Sequence, residues 1–328
     1  MHRLQRRRFA IIVAGSTLLL AAPHFVQAQQ NFPTKPVRLV VSTTAGSQPD
    51  TLGRIIGQKL TERWGQAIVI DNRPGGGGTL AAVPVAKATP DAYTILYVLP
   101  NFVTSAVLQP RLPYDPLKDF DGISQIGIST NVLVAAPALG AKSVNDLVTL
   151  ARAQPGKLIF VTGPTGTAVH LTGARFNFLT GIKAVHVAFK GGPEATIEVL
   201  AGRAHYHVGT MGVTLPFIRE GKLVALGVTT PQRAPVLPDI PALGELLPEF
   251  KRPETSHGLL APAGTPRPIL ERINGEIARI LDLPDVKERL QNISFVPAPS
   301  TPDEYKRILR AQIEAVSGLV RNIGLRQK

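Results

Sequence analysis

Two short stretches rich in glycine and hydroxyl groups hold the residues whose types and spacing could do chemistry. One contains Thr43, Thr44, Ala45, Gly46, Ser47, Gln48 and Asp50; the other contains Thr162, Gly163, Thr165, Gly166, Thr167 and His170. Each follows a short apolar run of β character and leads into a helical pattern. A helix that starts there leaves its first backbone N–H groups without intrahelical partners, and its dipole puts partial positive charge at the same end. Such an end attracts anions, and glycines let a ligand approach the backbone closely. Set on opposed lobes, two of these corners would clamp a small acid without any cationic side chain. Asp50 reads as the N-cap of the first helix. His170, in the first turn of the second, reads as a buried capping histidine or as an acid–base group.

Other clusters promise less. Gly75 to Gly78 are four consecutive glycines, but the lysine and Ser/Thr of a phosphate loop are missing and the dinucleotide spacing does not fit, so a turned surface loop is expected. His205 and His207 alternate on a strand, with His186 expected on an adjacent one. No carboxylate accompanies them, and no metal site is assigned. There is no Gly-x-Ser-x-Gly elbow, so neither catalysis nor a cofactor is expected.

The elements that must position the corners follow from periodicity. Val37 to Val41 reads as a strand, followed by Leu52, Ile55, Ile56, Leu60 and Trp64 at helical spacing and closed by Gly65. Strand 67–70, helix 79–87 and strand 94–98 continue a β/α alternation that implies a largely parallel sheet. Two β-like runs between Ile123 and Ala136 flank Thr130 and Asn131 and suggest a first crossover. Ser143 then caps a helix that opens a second series: strand 158–161, helix 168–180 ended by Gly181, strand 184–188, helix 193–201 ended by Gly202, strand 205–208, helix 215–220 and strand 223–228. Pro231 to Pro253 reads as an ordered surface excursion, Gly258 to Ala261 as a strand returning to the first lobe, and 267–281 and 303–323 as two long closing helices. No internal repeat is visible.

Composition bounds the class. Arg3, Arg6, Arg7 and Arg8 precede an apolar run from Phe9 to Ala22, and Val26 and Ala28 form a small-residue cleavage pattern, which predicts a leader over 1–28. The paired arginines resemble a twin-arginine signal, with Gln5 where Ser or Thr is usual. Removing four arginines and no acids takes the formal net charge from +13 to +9. The basic residues beyond position 8 are scattered and aromatics are few, which argues against nucleic acid and for a weak field that favours anionic solutes. With no cysteine, disulfides, thiolate metal sites and a cysteine nucleophile are excluded.

Read together, a set of short motifs resembles one family. They are Asn72-Arg73-Pro74-Gly75, Pro90-Asp91-Ala92-Tyr93, Leu112-Pro113-Tyr114-Asp115-Pro116, Pro155-Gly156-Lys157-Leu158, Phe189-Lys190-Gly191-Gly192, Gly221-Lys222-Leu223, Leu237-Pro238-Asp239-Ile240-Pro241 and Ala261-Pro262-Ala263-Gly264-Thr265-Pro266. The chain resembles the Bug family, extracytoplasmic solute receptors of tripartite tricarboxylate transporters. The resemblance implies an α/β, two-lobed periplasmic binding protein of type II with crossover strands between lobes. Lobe 1 is then expected over 29–130 plus 254–328, and lobe 2 over 131–253. It also implies a small carboxylate ligand, membrane permease subunits as partners and a periplasmic, monomeric, non-enzymatic protein. Carried across, the family's carboxylate-gripping corners fall on 42–50 and on Pro164, Thr165, Gly166, Thr167 and His170, and Gly192 and Gly209 join the candidate contacts. The chain departs from the family in five places. Hydroxyls replace the usual aromatic wall at 42–44, Pro164 replaces a glycine, Gly209 and His205 stand where Asp is frequent, and Ser256 replaces a tryptophan. A sensory receptor for the same ligands and a periplasmic hydrolase using His170 or the His205 and His207 pair are the alternatives.

Overall fold

The computed structural model describes residues 32–250 and 256–325; residues 1–31, which include the expected leader, residues 251–255 of the proline-rich stretch and the last three residues lie outside that set. β1 (Val37–Val41) has Val37, Leu39, Val40 and Val41 buried, as a parallel strand covered on both faces requires. α1 (Gln48–Trp64) lays Leu52, Ile55, Ile56 and Leu60 on the sheet, and burying each contributes about 1.5–3 kcal/mol. Gly65, at φ 66°, ends it by donating to the Thr61 carbonyl. β2 (Ile68–Asn72), α2 (Thr79–Ala86) and β3 (Thr94–Val98) follow, then α3 (Pro100–Leu108), a helix absent from the sequence reading. β4 (Phe120–Ser129) and β5 (Asn131–Ala135) are separated only by Thr130.

The second series comprises α4 (Val144–Ala153), β6 (Ile159–Thr162), α5 (Ala168–Thr180), β7 (Val185–Ala188), α6 (Gly192–Leu200), β8 (Tyr206–Thr210), α7 (Met211–Arg219) and β9 (Val224–Val228). The proline-rich excursion is ordered where described. It forms the short α8 (Leu243–Leu246), buries Leu243 and Phe250 in the core, and pairs Arg233 with Glu245 at 2.8 Å. β10 (Ser256–Pro262) is buried throughout. Between the two expected closing helices, α9 (Arg267–Asp282) and α11 (Pro302–Asn322), lie α10 (Pro284–Asn292) and β11 (Phe295–Pro297), both missed in the sequence.

Two sheets result, with strand orders β11-β4-β10-β3-β1-β2 and β7-β6-β8-β5-β9. Within them β2-β1-β3-β10 matches β7-β6-β8-β5: in each set two parallel pairs surround the first strand and an antiparallel strand joins the third. The topology therefore repeats where the sequence shows no repeat. In the first sheet α1, α9 and α10 cover the face carrying Leu39 and Val41, while α2, α3 and α11 cover the face carrying Val40, Leu96 and Val98. In the second, α4 and α5 pack over Leu133 and Phe160, and α6 and α7 over Val132 and Val161. Adjacent β1 and β3 thus send their helices to opposite faces, and β6 and β8 do the same. Each sheet has a topological switch point at its carboxyl edge, where open α/β sheets form a crevice for ligands.

Candidate functional site

Both corners stand at these switch points, and they are built alike. At the first, Ser47 is the N-cap of α1, its side chain accepting from the Asp50 N–H at 3.5 Å. The Asp50 carboxylate reaches back to accept from the Gly46 N–H at 2.8 Å. At the second, Thr167 is the N-cap of α5 and accepts from the His170 N–H at 3.4 Å, while His170 Nδ1 accepts from the Gly166 N–H at 3.1 Å. Each cap hydroxyl also donates to the carbonyl three residues back, Ser47 to Thr44 at 2.8 Å and Thr167 to Pro164 at 2.9 Å. Gly46 and Gly166 sit at φ 80° and 85°, a left-handed turn that glycine adopts without penalty. Both resemble a reciprocal capping box shifted by one residue: Asp50 and His170, at the third helical position where Glu is usual, bind the N–H of the glycine before the cap rather than the cap's own.

The N-cap reading of Asp50 is therefore corrected: Asp50 lies in the first turn of α1, and the cap is Ser47. Pro49 at N2 of the helix, compatible with a helix start because that N–H has no intrahelical partner, let α1 begin earlier than the apolar spacing suggested. The Ser-x-x-acid spacing of Ser47 and Asp50 is the signal that would have found it.

The two boxes differ in charge. Burial opposes ionisation of Asp50, but hydrogen bonds from Arg54, Gly46 and Asn72 and the Arg54 charge outweigh it, holding the carboxyl below the usual carboxylate range. Arg54 Nε lies 3.0 Å from it. His170 is pushed down to about 4 by burial and by neighbouring His186, so it is neutral near pH 7 and free to accept through Nδ1. It is a buried capping histidine, 4% exposed. Its ring stacks on His186 at 4.4 Å, and His186 Nε2 lies 2.7 Å from the Thr162 hydroxyl, which itself donates to the Gly163 carbonyl at 2.7 Å.

The remaining candidates divide clearly. Thr44, Ala45, Gly46, Pro164 and Thr165 are exposed or partly exposed loop tips, and the N–H groups of Ala45 and Thr165 have no partner among the described residues. Thr43 is half-buried, its hydroxyl 2.8 Å from that of Ser47. Gly163 and Gly192 come together: a Cβ on Gly163 would stand 3.3 Å from the Gly192 nitrogen, so the N-terminus of α6 adjoins the second corner. Thr162 is fully buried with its hydroxyl committed, and the Gln48 amide is bound to Ser129 and Ile293, so these side chains hold the corners in shape. Gly209 is buried, and a Cβ there would lie 2.5 Å from Thr214 Cγ2 and 2.7 Å from His207 Cε1, which leaves no room for an aspartate.

The histidine grouping does not hold. β6 lies between β7, with His186, and β8, with His207, and His205 Nδ1 accepts from the Ile159 N–H at 2.8 Å. His207 Nε2 lies 3.4 Å from Thr196 Oγ1, and no metal-binding cluster occurs among the described residues. The glycine run is a tight turn packed on α3, with Ser105 donating to the Gly77 carbonyl at 2.8 Å.

The lobes meet close to the second corner. Leu171, next to His170, belongs to the apolar cluster formed by α2, α3 and α11 of the other sheet, and Leu108 at the end of α3 lies where a Cβ on Gly166 would be 2.8 Å away. α3, which the sequence reading missed, thus runs from the switch point of the first sheet to the capping box of the second.

Two sheets of matching topology, each with a capped helix start at its switch point and joined at Thr130 and again between β9 and β10, have the architecture of a two-lobed solute-binding protein. Residues 52–325 match the family model described as tripartite tricarboxylate transporter family receptor. The chain is 32% identical over 323 residues to a protein of the tcbD-tcbE intergenic region of Pseudomonas sp. strain P51, covering 98% of this chain and 95% of that one. It is 29% identical over 316 residues to BugT of Bordetella pertussis, covering 95% and 96%. Among solved structures it is similar to an R. palustris protein with adipate, at 31% identity and a TM-score of 0.76, covering 89% and 98%. It is also similar to MatC of Rhodopseudomonas palustris with bound malate, at 29% identity and a TM-score of 0.71, covering 88% and 100%. The chain belongs to the tripartite tricarboxylate transporter receptors, the Bug family.

Proposed function

We propose that the mature protein captures a small organic acid, a di- or tricarboxylate, between lobe 1 (29–130 with 254–328) and lobe 2 (131–253) and hands it to the permease subunits of a tripartite transporter. The matching capping boxes carry this reading. Each saturates its own glycine N–H and hydroxyl, which leaves for a ligand the loop-tip N–H groups of Ala45 and Thr165 and those first-turn N–H groups of α1, α5 and α6 that the caps do not occupy, such as Gln48, Ala168 and Gly192. Charge-assisted hydrogen bonds to a carboxylate in a closed cleft are about twice as strong as neutral ones, so no arginine need touch the ligand. Lobe closure then creates the surface that the permease reads. The adipate and malate bound by the two R. palustris relatives support the ligand class. The leader sends the protein to the periplasm by the general or the twin-arginine route.

The test is a thermal-shift screen of the mature protein against mono-, di- and tricarboxylates, repeated with Ala45→Asp. Ala45 is exposed, so the variant should fold normally while placing an anion at the first corner. The expected outcome is stabilisation by at least one di- or tricarboxylate, lost in Ala45→Asp. Stabilisation undiminished in the variant would remove the first corner from the site, and a screen with no responsive carboxylate would remove the ligand class.

A further inference from the structure

Behind the first corner runs a buried chain of hydrogen bonds that no part of the ligand reading uses. The Tyr97 hydroxyl on β3 lies 2.8 Å from Nδ1 of His257 on β10, and His257 Nε2 lies 2.7 Å from the Ser129 hydroxyl at the end of β4. Ser129 donates to Oε1 of Gln48, the first residue of α1, at 3.2 Å, and Gln48 Nε2 donates to the Ile293 carbonyl. Tyr97, Ser129 and His257 are 1%, 7% and 3% exposed.

The proton positions follow from one end. A carbonyl only accepts, so Ile293 fixes the Gln48 amide with Nε2 toward it and Oε1 toward Ser129. Ser129 spends its single hydroxyl hydrogen on Gln48 and must accept from His257 Nε2–H. His257 Nδ1 is then bare and accepts from Tyr97. The four bonds point one way only, and they require a neutral imidazole. Burial supplies it, pushing His257 down to about 3.

The ends of this chain matter. Gln48 is adjacent to Ser47, the cap of the first corner. Ser129 is adjacent to Thr130, the crossing between sheets, whose N–H donates to Ser294 at 3.2 Å and whose carbonyl accepts from Met211, the first residue of α7, at 3.0 Å. The second corner has no counterpart, because Ala168 stands where α1 has Gln48.

We propose that His257 is a positioning residue for ligand capture: through Ser129 and Gln48 it locks the first corner to the crossing strand, so that closure brings a fixed corner onto the ligand. This rests on the reading of the first corner as a carboxylate site, and the two are tested separately. Amide hydrogen exchange of the ligand-free protein reads the lock itself. In Ser129→Ala and in His257→Phe, exchange over 44–51 should rise about tenfold, with exchange over 164–171 unchanged. In His257→Gln, whose amide can both accept from Tyr97 and donate to Ser129, exchange should return to within about threefold of wild type. Titration with adipate and malate reads capture, and Ser129→Ala should weaken binding of whichever binds wild type by about tenfold. Unchanged exchange at the first corner, no rescue by Gln, or weakened exchange protection with undiminished affinity would each overturn the proposal. If neither acid binds wild type, the ligand reading fails, and the exchange result still decides the lock.

Discussion

At the residue scale, the cap hydroxyls and the groups that answer them set what each corner can offer. Removing either cap, in Ser47→Ala or Thr167→Ala, should destabilise the protein by about 1 kcal/mol, the usual cost of losing such a cap, measured as a lowered denaturant midpoint with unchanged slope. A loss below about 0.3 kcal/mol would mean that the box does not hold the corner. Arg54 gives a sharper contrast. It balances the buried Asp50 charge beneath the first corner, and the second corner, with neutral His170, needs no such partner. Arg54→Gln should therefore weaken carboxylate binding about threefold at low ionic strength and less at 0.5 M salt, as a screened, half-exposed charge would. A salt-independent effect would assign Arg54 a packing role instead.

Between elements, the difference between the two matching glycines is measurable. Gly46 and Gly166 share a left-handed φ, but a Cβ on Gly46 meets nothing, whereas one on Gly166 would be 2.8 Å from Leu108 Cδ1 on α3. Gly46→Ala should cost about 1 kcal/mol from backbone strain alone, and Gly166→Ala should cost more because α3 must also yield. Equal costs would show that α3 does not press on the second corner. That contact could not be read from the chain. α3 buries Phe102, Val103, Thr104, Ser105 and Val107 around most of its circumference, so the one-sided apolar stripe that marks a helix is missing, and Val103, Thr104 and Val107 are β-branched. α10 hid for the opposite reason: only Val286 and Leu290 are buried, one i,i+4 pair in nine residues between longer helices. β1, α5 and the stop glycines Gly65 and Gly181 were legible because each signal is local: a β-branched run, a cap, a left-handed residue. The corners themselves were legible as glycine-hydroxyl turns between strand and helix. Their inner wiring was not, since Gln48 bonding Ile293 and Thr162 meeting His186 depend on strand order.

For the whole molecule, burial of neutral imidazoles sets the response to acid. His170 and His207 are held at about 4 and His257 at about 3, each chiefly by desolvation, against 6.5 for an ordinary histidine. The unfolded chain takes up these protons first, so their contribution is complete above pH 6.5. It is lost as pH falls toward 4, at up to about 1.4 kcal/mol per unit for each histidine. The melting temperature should be level between pH 7 and 8 and fall steeply from 6.5 to 4.5. His207→Gln should flatten that fall by roughly a third, and a level profile in wild type would mean that these rings are not buried neutral in solution. All of this bears on one proposed arrangement: two sheets of matching topology whose capped helix ends grip one ligand from both lobes. The most direct test is a crystal structure of the mature protein grown with the carboxylate that stabilises it most. The account expects carboxylate oxygens about 2.7–3.1 Å from backbone N–H groups of both corners, Ala45 on one side and Thr165 on the other. A ligand held by lysine or arginine side chains away from them, or by one lobe alone, would contradict it.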